Sequence, residues 1–247
     1  MCWSMEASAA MVGLGVAATA VTCLRRDAPA IWLTLGYFTA MEGLQVWGYS
    51  VLDQCGTTSN QMVTVLSYLH IAMQPFFINA FAMELVPETV KRRARLWVFG
   101  ACLISALVML LQIAPLATAG SCLPGTPLCA DQWCTVSGNW HIAWDVPYNG
   151  LVLPFEHYIG VYAGFPTYMV AAFIVPLVYG AWRFVLIHAI AGPILAWSLT
   201  QNPNEMPAIW CLFSIAILLI GLSPLVRKTV STAHWWGRTV QETPSVT

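Results

Sequence analysis

Long apolar segments alternate with short polar connections along most of this chain. We place seven such segments, each close to the length of about 20 residues that an α-helix needs to cross a bilayer. They cover residues 7–24, 31–52, 62–84, 97–117, 159–182, 184–200 and 207–226. Because backbone N–H and C=O groups must be paired within the hydrocarbon, the pattern predicts membrane-spanning helices.

The cations lie at alternate connections. All ten Lys and Arg residues fall in four places that could share one side of a membrane: Arg25 and Arg26; Lys91, Arg92, Arg93 and Arg95; Arg183; and Arg227, Lys228 and Arg238. Cytoplasmic connections carry an excess of Lys and Arg. The sequence therefore predicts an all-α integral membrane protein, a seven-transmembrane helix bundle over residues 1–230. Its N-terminus lies outside, and residues 231–247 form a cytoplasmic tail.

The number of spans depends on Arg183. The run from Ile159 to Thr200 is almost unbroken, and as a single span it would place Arg227 and Lys228 outside. Splitting the run at Arg183 keeps every cation cluster on the cytoplasmic side. We therefore predict a short connection there, as is normal between antiparallel helices.

The composition supports a membrane location. The chain is 58% hydrophobic and 9% charged, whereas soluble domains carry about 25% charged residues. This predicts a multi-pass protein of the plasma, inner or an internal membrane, with the lipid bilayer as its first partner. Nucleic acid is not an expected partner, because the Lys and Arg residues lie in the predicted cytoplasmic connections and form no basic face.

Six cysteines lie at or near the predicted outer side: Cys2, Cys55, Cys122, Cys129, Cys134 and Cys211. Disulfides persist in oxidising compartments, and six cysteines allow 15 pairings. We expect at least one disulfide to tie the 122–134 region to Cys55 or to itself. The aromatic stretch at 140–145 in the same outer loop predicts a short helix lying at the interface.

Polar residues inside two adjacent segments form the main candidate site. Glu42 and Gln45 share one face of the second segment, and Ser67, His70 and Gln74 share one face of the third. An ionisable group at mid-bilayer costs about 2.5–3.5 kcal/mol. At similar depths these five side chains could form one ligand-binding site in the outer half of the bundle. Alternatively, they only join the helices by hydrogen bonds.

A metal site is a further possibility in the same region. Pro75 lacks an N–H and so leaves the carbonyl of Ile71 free beside His70. His157 lies where the fifth segment enters from outside. His70, Glu42 and His157 are therefore candidate metal ligands, although the sequence identifies no cofactor.

The sequence argues against several classes of membrane protein. Retinal needs a lysine within the membrane, and Lys91 and Lys228 lie at its cytoplasmic edge. P-loop, GxGxxG, HExxH and GxSxG motifs are absent. Seven-helix zinc hydrolases of the alkaline ceramidase and adiponectin-receptor kind pair two His in their last helix. This chain has Ser67 and His70 on one face, but no His in its last segment, and His188 lies near the cytoplasmic side.

Three short motifs carry a family resemblance: Met1-Cys2-Trp3-Ser4 with Glu6, the segment 41–45, and His70 through Gln74-Pro75. In these the chain resembles a family of uncharacterised seven-helix membrane proteins, found in microbes and large viruses, that begin Met-Cys-Trp. The resemblance implies the fold over most of the chain and carries no activity with it.

Three functions remain open at this point. The first is binding or transport of a small ligand, ion or lipid at the outer-half polar site. The second is a metal-dependent membrane enzyme with His and Glu ligands. The third is an accessory subunit whose polar groups are purely structural.

Overall fold

The computed structural model describes residues 3–211, 213–235 and 238–239, and these residues are mostly helical. The N-terminal half contains α1 (Met5–Leu24), α2 (Pro29–Ser50), α3 (Thr58–Met83) and α4 (Glu88–Gln112). The outer loop contains β1 (Cys134–Ser137), β2 (Ile142–Asp145) and α5 (Leu153–Ile159). The remaining elements are α6 (Pro166–Val178), α7 (Trp182–Leu199), α8 (Met206–Trp210), α9 (Phe213–Leu222), α10 (Pro224–Val230), β3 (His234–Trp235) and β4 (Arg238–Thr239).

Four helices of the described part are long and apolar enough to cross a membrane: α1, α3, α4 and α7. The segment Met206–Leu222 together with Pro224–Val230 is a fifth candidate. α2 is not among them, and its buried polar side chains include Thr34, Glu42 and Gln45. α2 packs against both α1 and α3, so these polar groups face protein.

Local sequence signals set the ends of the first helices. The side chains of Ser4 and Thr57 accept hydrogen bonds from backbone N–H groups in the first turns of α1 and α3. Pro29 occupies the first turn of α2, where its missing N–H leaves no intrahelical bond unmade. Gly15 lets α1 approach α2 closely, because a side chain there would overlap Thr39.

The fifth predicted segment, 159–182, is not one continuous helix. α5 ends at Gly160, whose φ of +69° suits glycine, and α6 begins only at Pro166. The expectation of one helix over 159–182 is therefore wrong. Glycine and proline in this stretch interrupt the apolar run that the sequence shows.

The break between the fifth and sixth segments is confirmed. α6 ends at Val178 and α7 begins at Trp182, with Gly180 at φ +97° between them. Arg183 lies in the first turn of α7, where its Nη1 donates to the carbonyls of Thr229 and Ser231 at 3.0 Å each.

The stretch 140–145 is not a helix, and that prediction is wrong. It contains β2, which pairs antiparallel with β1 from Cys134↔Asp145 to Ser137↔Ile142. Side chains from distant elements hold the hairpin. Asn60 of α3 bonds both the N–H and the C=O of Thr135, and Glu205 accepts three N–H groups at the turn. These tertiary contacts override the local pattern.

The predicted disulfide linkage is confirmed by two bonds. Cys55 pairs with Cys134, which joins the α2–α3 connection to β1, and Cys122 pairs with Cys129 within the outer loop. Cys211 was a wrong disulfide candidate. It is a buried free thiol that donates to the Pro207 carbonyl at 3.3 Å. Cys2 lies outside the described residues.

The cation clusters meet at the opposite end of the bundle. Arg227 pairs with Asp27 at 3.1 Å, and Arg25 pairs with the same carboxylate at 3.0 Å. These contacts join the α1–α2 connection to α10. They also lower the pKa of the Asp27 carboxyl, chiefly through its hydrogen bond from Arg227.

The other two cation clusters lie at the same end. Thr232, which follows α10, bonds the carbonyl of Leu85 through its N–H and that of Gly180 through its hydroxyl. Beside Leu85, Lys91 pairs with Glu84 at 2.6 Å. Arg25, Lys91, Arg183 and Arg227, which lie far apart in sequence, therefore share one end, whereas the disulfides lie in the connections at the other.

Candidate functional site

The structure divides the predicted polar group into separate surroundings. Glu42 accepts a hydrogen bond from Ser214 of α9 at 3.2 Å, and Gln45 accepts one from Ser8 of α1 at 3.4 Å. The Glu42 carboxylate and the Gln45 amide are both buried between α1, α2 and α9. These two residues therefore join helices on one side of α2.

Gln74 has different partners. The Tyr168 hydroxyl of α6 donates to Oε1 of Gln74 at 2.7 Å, and both side chains are buried. Gln74 therefore joins α3 to α6, apart from the contacts of Glu42 and Gln45.

Sequence reasoning missed Tyr168 and misassigned Cys211. Tyr168 is one aromatic residue within a long apolar run, and nothing in its spacing separates it from residues that merely pack. The depth of Cys211 near the outer side favours a disulfide on sequence grounds. Its hydrogen bond to the Pro207 carbonyl instead shows a polar role inside the bundle.

A cavity of about 200 Å³ lies beside the Gln74–Tyr168 pair. The groups around it are mostly apolar and come from α2, α3, α4, the outer loop and α6 to α8. They include Phe38, Ile71, Ile78, Met109, Leu128, Phe165, Met169, Ala196, Met206 and Trp210. Among the described lining residues, the polar side chains are Gln74, Tyr168, Cys211, His188 and the indole N–H of Trp210. Ligand sites have this composition, an apolar wall with a few polar groups.

Two of the helices that line the cavity contain π-helical turns. α6 has a π-helical turn at Val170–Ile174, and α7 has one at Ile190–Ile194 that contains Pro193. The cavity touches Met169, at the start of the first turn, and Pro193 in the second. Such turns are rare within α-helices and occur often at functional sites.

His188 and Trp210 close the cavity on the α7–α8 side. Trp210 Nε1 donates to His188 Nε2 at 3.1 Å, and His188 stacks on Phe173 at 4.3 Å. Gly192 gives the indole its room, because a Cβ there would overlap the Trp210 ring. The sequence places His188 near the cytoplasmic side, whereas in the structure His188 and Gln74 line the same cavity.

Some buried polar atoms have no hydrogen-bond partner among the described residues. In the predicted polar group they include Oε2 of Glu42, Nε2 of Gln45 and Oγ of Ser67. Each such atom costs about 1–3 kcal/mol unless water or a ligand satisfies it. A small cavity of about 10 Å³ lies against Glu42 and Ser214, which is about the space that one water needs.

His70 belongs to another surface. Its ring stacks on Tyr37 at 3.8 Å, and it lines a groove between α2 and α3 together with Leu66 and Met73. Leu66 and Met73 are both exposed. The cavity does not include His70 in its lining, although His70 lies one turn from Gln74.

The three predicted metal ligands are not brought together. Among the described residues, no group of three or more His, Cys, Asp or Glu could hold a metal ion. His157 is exposed and its Nδ1 contacts the Tyr162 hydroxyl at 3.0 Å. Glu42 and His70 instead have the separate partners Ser214 and Tyr37.

Glu205 holds the outer hairpin against the helices, a role that its position in the sequence does not indicate. Its buried carboxylate accepts the N–H groups of Asn139 at 3.1 Å, Trp140 at 2.5 Å and His141, and the Thr200 hydroxyl at 2.6 Å. Because these donors come from the β1–β2 turn and from the end of α7, Glu205 fixes the hairpin over α7 and α8.

His141 lies in the same anchor. Its Nδ1 accepts from the Ile142 N–H at 2.7 Å and lies 3.0 Å from the Tyr49 hydroxyl. The ring is fully buried and stacks against Trp3. Burial lowers the pKa of His141 to about 3, so the ring stays neutral at physiological pH.

In a comparison with known protein families, the model of a family of unknown function, DUF5765, matches residues 6–231. No curated protein and no solved structure matches the chain. Since the match extends from the first turn of α1 to the residue after α10, the chain belongs to DUF5765, a family of unknown function.

Proposed function

We propose that this protein is a multi-pass membrane protein that binds a small, neutral and largely apolar ligand in the cavity beside Gln74 and Tyr168. The observation that carries the proposal is the cavity itself, an apolar space of about 200 Å³ with one polar corner. A cavity of about 150 Å³ lined by apolar groups holds benzene. The ligand, or the part of it that enters, therefore has the size of one or two rings or a short acyl segment.

The polar corner determines the chemistry of this ligand. Lys, Arg, Asp and Glu are absent from the described residues that line the cavity. A charged group would be costly there because no opposite charge accompanies it. Gln74, Tyr168 and Cys211 can hydrogen-bond a hydroxyl or carbonyl oxygen, so we infer a ligand with one such group at its end.

We further propose that the chain crosses the membrane seven times, through α1, α2, α3, α4, α6, α7 and α8–α9, with its N-terminus outside. The clustering of Arg25, Lys91, Arg183 and Arg227 at one end supports a cytoplasmic position for that end. The disulfides in the opposite connections support an extracellular or lumenal position there.

α6 is short for a span, and side chains of the protein hydrogen-bond the irregular backbone before it at Gly164. Glu156 accepts the Gly164 N–H at 2.6 Å, and Gln112 Nε2 donates to the Gly164 carbonyl at 2.9 Å. Irregular backbone is tolerated at membrane depth where protein groups bond it in this way. These bonds support residues 160–165 as the outer end of a fifth crossing.

Extraction of bound small molecules tests the binding proposal. Protein purified from its native membrane would be denatured in organic solvent, and the released molecules quantified by mass spectrometry. We expect a neutral molecule at about one per chain from the wild type and its loss from Ala196→Phe, which fills the cavity. Ala17→Phe, on the exposed face of α1, is the matched control. Equal recovery from both variants would contradict the proposal.

A further inference from the structure

We propose a second binding site on the membrane-facing side of the bundle: a lipid-soluble quinone binds in the groove between α2 and α3, with His70 as its hydrogen-bonding partner. The groove has a volume of about 760 Å³. His70, Met73 and Phe77 line it from α3, and Tyr37, Ala40 and Leu44 line it from α2. The spacings of three, four and seven residues place each set along one face of its helix.

His70 is the polar feature of this groove. Its side chain is only 8% exposed, and its Nε2 has no hydrogen-bond partner among the described residues. The ring is held firmly, since it stacks on Tyr37 at 3.8 Å and Tyr37 stacks on Phe77 at 3.7 Å. The Tyr37 hydroxyl also donates to the His70 carbonyl at 2.5 Å. A firmly held ring that lines the groove and has a buried nitrogen without a partner is a polar site for one hydrogen bond.

The depth of His70 restricts the occupant. α3 runs from Thr58 to Met83, so His70 lies at its middle, about 18 Å from either end at a rise of about 1.5 Å per residue. The hydrocarbon core is about 30 Å thick, so phospholipid headgroups do not reach this level. A sterol whose hydroxyl stays at the interface does not reach it either. The partner must carry its oxygen to the middle of the bilayer.

Charge and shape restrict the occupant further. Lys, Arg, Asp and Glu are absent from the described residues that line the groove, so the ligand is neutral. Phe76 and Phe77 offer aromatic rings on which a flat ring can pack. A quinone with an isoprenoid tail meets all of these conditions: it is neutral, its ring is flat, and its carbonyl oxygens can accept a hydrogen bond near the bilayer centre.

The groove and the cavity are separate. Ile71, Gln74 and Ile78 line the cavity from α3, and neither His70 nor Phe77 does so. This inference therefore does not depend on the cavity ligand, and variants of one surface leave the lining of the other unchanged.

The test uses full-length protein in lipid nanodiscs and a short-chain ubiquinone that carries a photoreactive azide. We expect saturable labelling of peptides from α2 and α3, and about tenfold weaker binding in His70→Leu, which removes one hydrogen bond. His70→Gln, which restores a polar group, should recover part of the loss. Ala40→Phe, which blocks the groove from its exposed side, should abolish labelling, whereas Ala17→Phe on α1 should not.

Three outcomes would overturn the inference. The first is that Ala40→Phe binds the quinone as well as Ala17→Phe does. The second is that the label maps to the outer loop or α6, and the third is that the wild type is a dimer that Ala40→Phe converts to a monomer. The last result would assign the groove to a second copy of this chain. Ala196→Phe separates the two proposals, because it blocks the cavity and should leave quinone binding unchanged.

Discussion

The hydroxyl of Tyr168 donates to Oε1 of Gln74 at 2.7 Å, and both side chains line the same cavity. Tyr168 comes from α6, two residues before the π-helical turn at Val170–Ile174, and Gln74 comes from α3 directly before Pro75. Both residues therefore lie next to an interruption of regular helical hydrogen bonding. A ligand at this position would contact two polar side chains that already hydrogen-bond each other and are otherwise surrounded by apolar groups.

The first prediction concerns this pair. Tyr168→Phe leaves Oε1 of Gln74 buried without its donor, so we expect a loss of about 1–3 kcal/mol in stability. Gln74→Leu alone should cost a similar amount. The double variant should cost less than the sum of the two, because both polar partners are then gone. Thermal unfolding of the four proteins in one detergent measures this coupling, and strictly additive losses would show that the bond contributes nothing.

The second prediction concerns the Cys55–Cys134 disulfide, which closes a loop of 79 residues in sequence separation. A loop of this length implies about 4 kcal/mol of stabilisation in the chain-entropy account. Cys55→Ser should lower the unfolding temperature strongly, and Cys122→Ser, in a loop of only 7 residues, should lower it less. Reductant should likewise lower the unfolding temperature of the wild type.

The third prediction concerns pH. Burial lowers the pKa of His141 from 6.5 to about 3. Between these values the unfolded chain binds a proton that the folded chain does not, so stability should rise with pH in that window. The contribution is complete above about pH 6.5, and about 2 kcal/mol of it should be lost by about pH 5.

His141→Asn supplies the control for this pH dependence. Its amide oxygen can take the place of Nδ1 as an acceptor for the Ile142 N–H, but it does not titrate. The difference in unfolding temperature between about pH 7.5 and about pH 5 should therefore be smaller in His141→Asn than in the wild type. Equal differences would show that His141 is not the titrating group.

The fourth prediction concerns orientation. Gln132 is exposed in the outer loop, and Lys228 is exposed on α10 at the cation end. In a background with Cys2→Ser and Cys23→Ser, a membrane-impermeant maleimide added to intact cells should label Gln132→Cys and not Lys228→Cys. Inverted vesicles should give the reverse. Labelling of Lys228→Cys in intact cells would contradict the proposed orientation.

The long helices were predictable from the sequence because their signal is strong and local. The expected segments 7–24, 31–52 and 62–84 lie close to α1, α2 and α3, since runs of apolar residues and short polar connections decide helix position there. The break near Arg183 was also predictable, because charge alternation required it and Gly180 permits it.

The outer hairpin and the site were harder to predict for a physical reason. β1 and β2 depend on side chains of Asn60 and Glu205, which come from distant parts of the chain. His70 and Gln74 lie one turn apart on α3, so spacing alone placed them together. Packing separates them, because His70 stacks on Tyr37 and Gln74 bonds Tyr168.

A density map of the full-length protein in lipid nanodiscs, at a resolution that shows side chains, tests the central claim most directly. The account predicts non-protein density in the cavity, within hydrogen-bond distance of Gln74 or Tyr168, and its loss in Ala196→Phe. A wild-type cavity that is closed by its own side chains, or that holds only ordered water, would contradict a ligand-binding function.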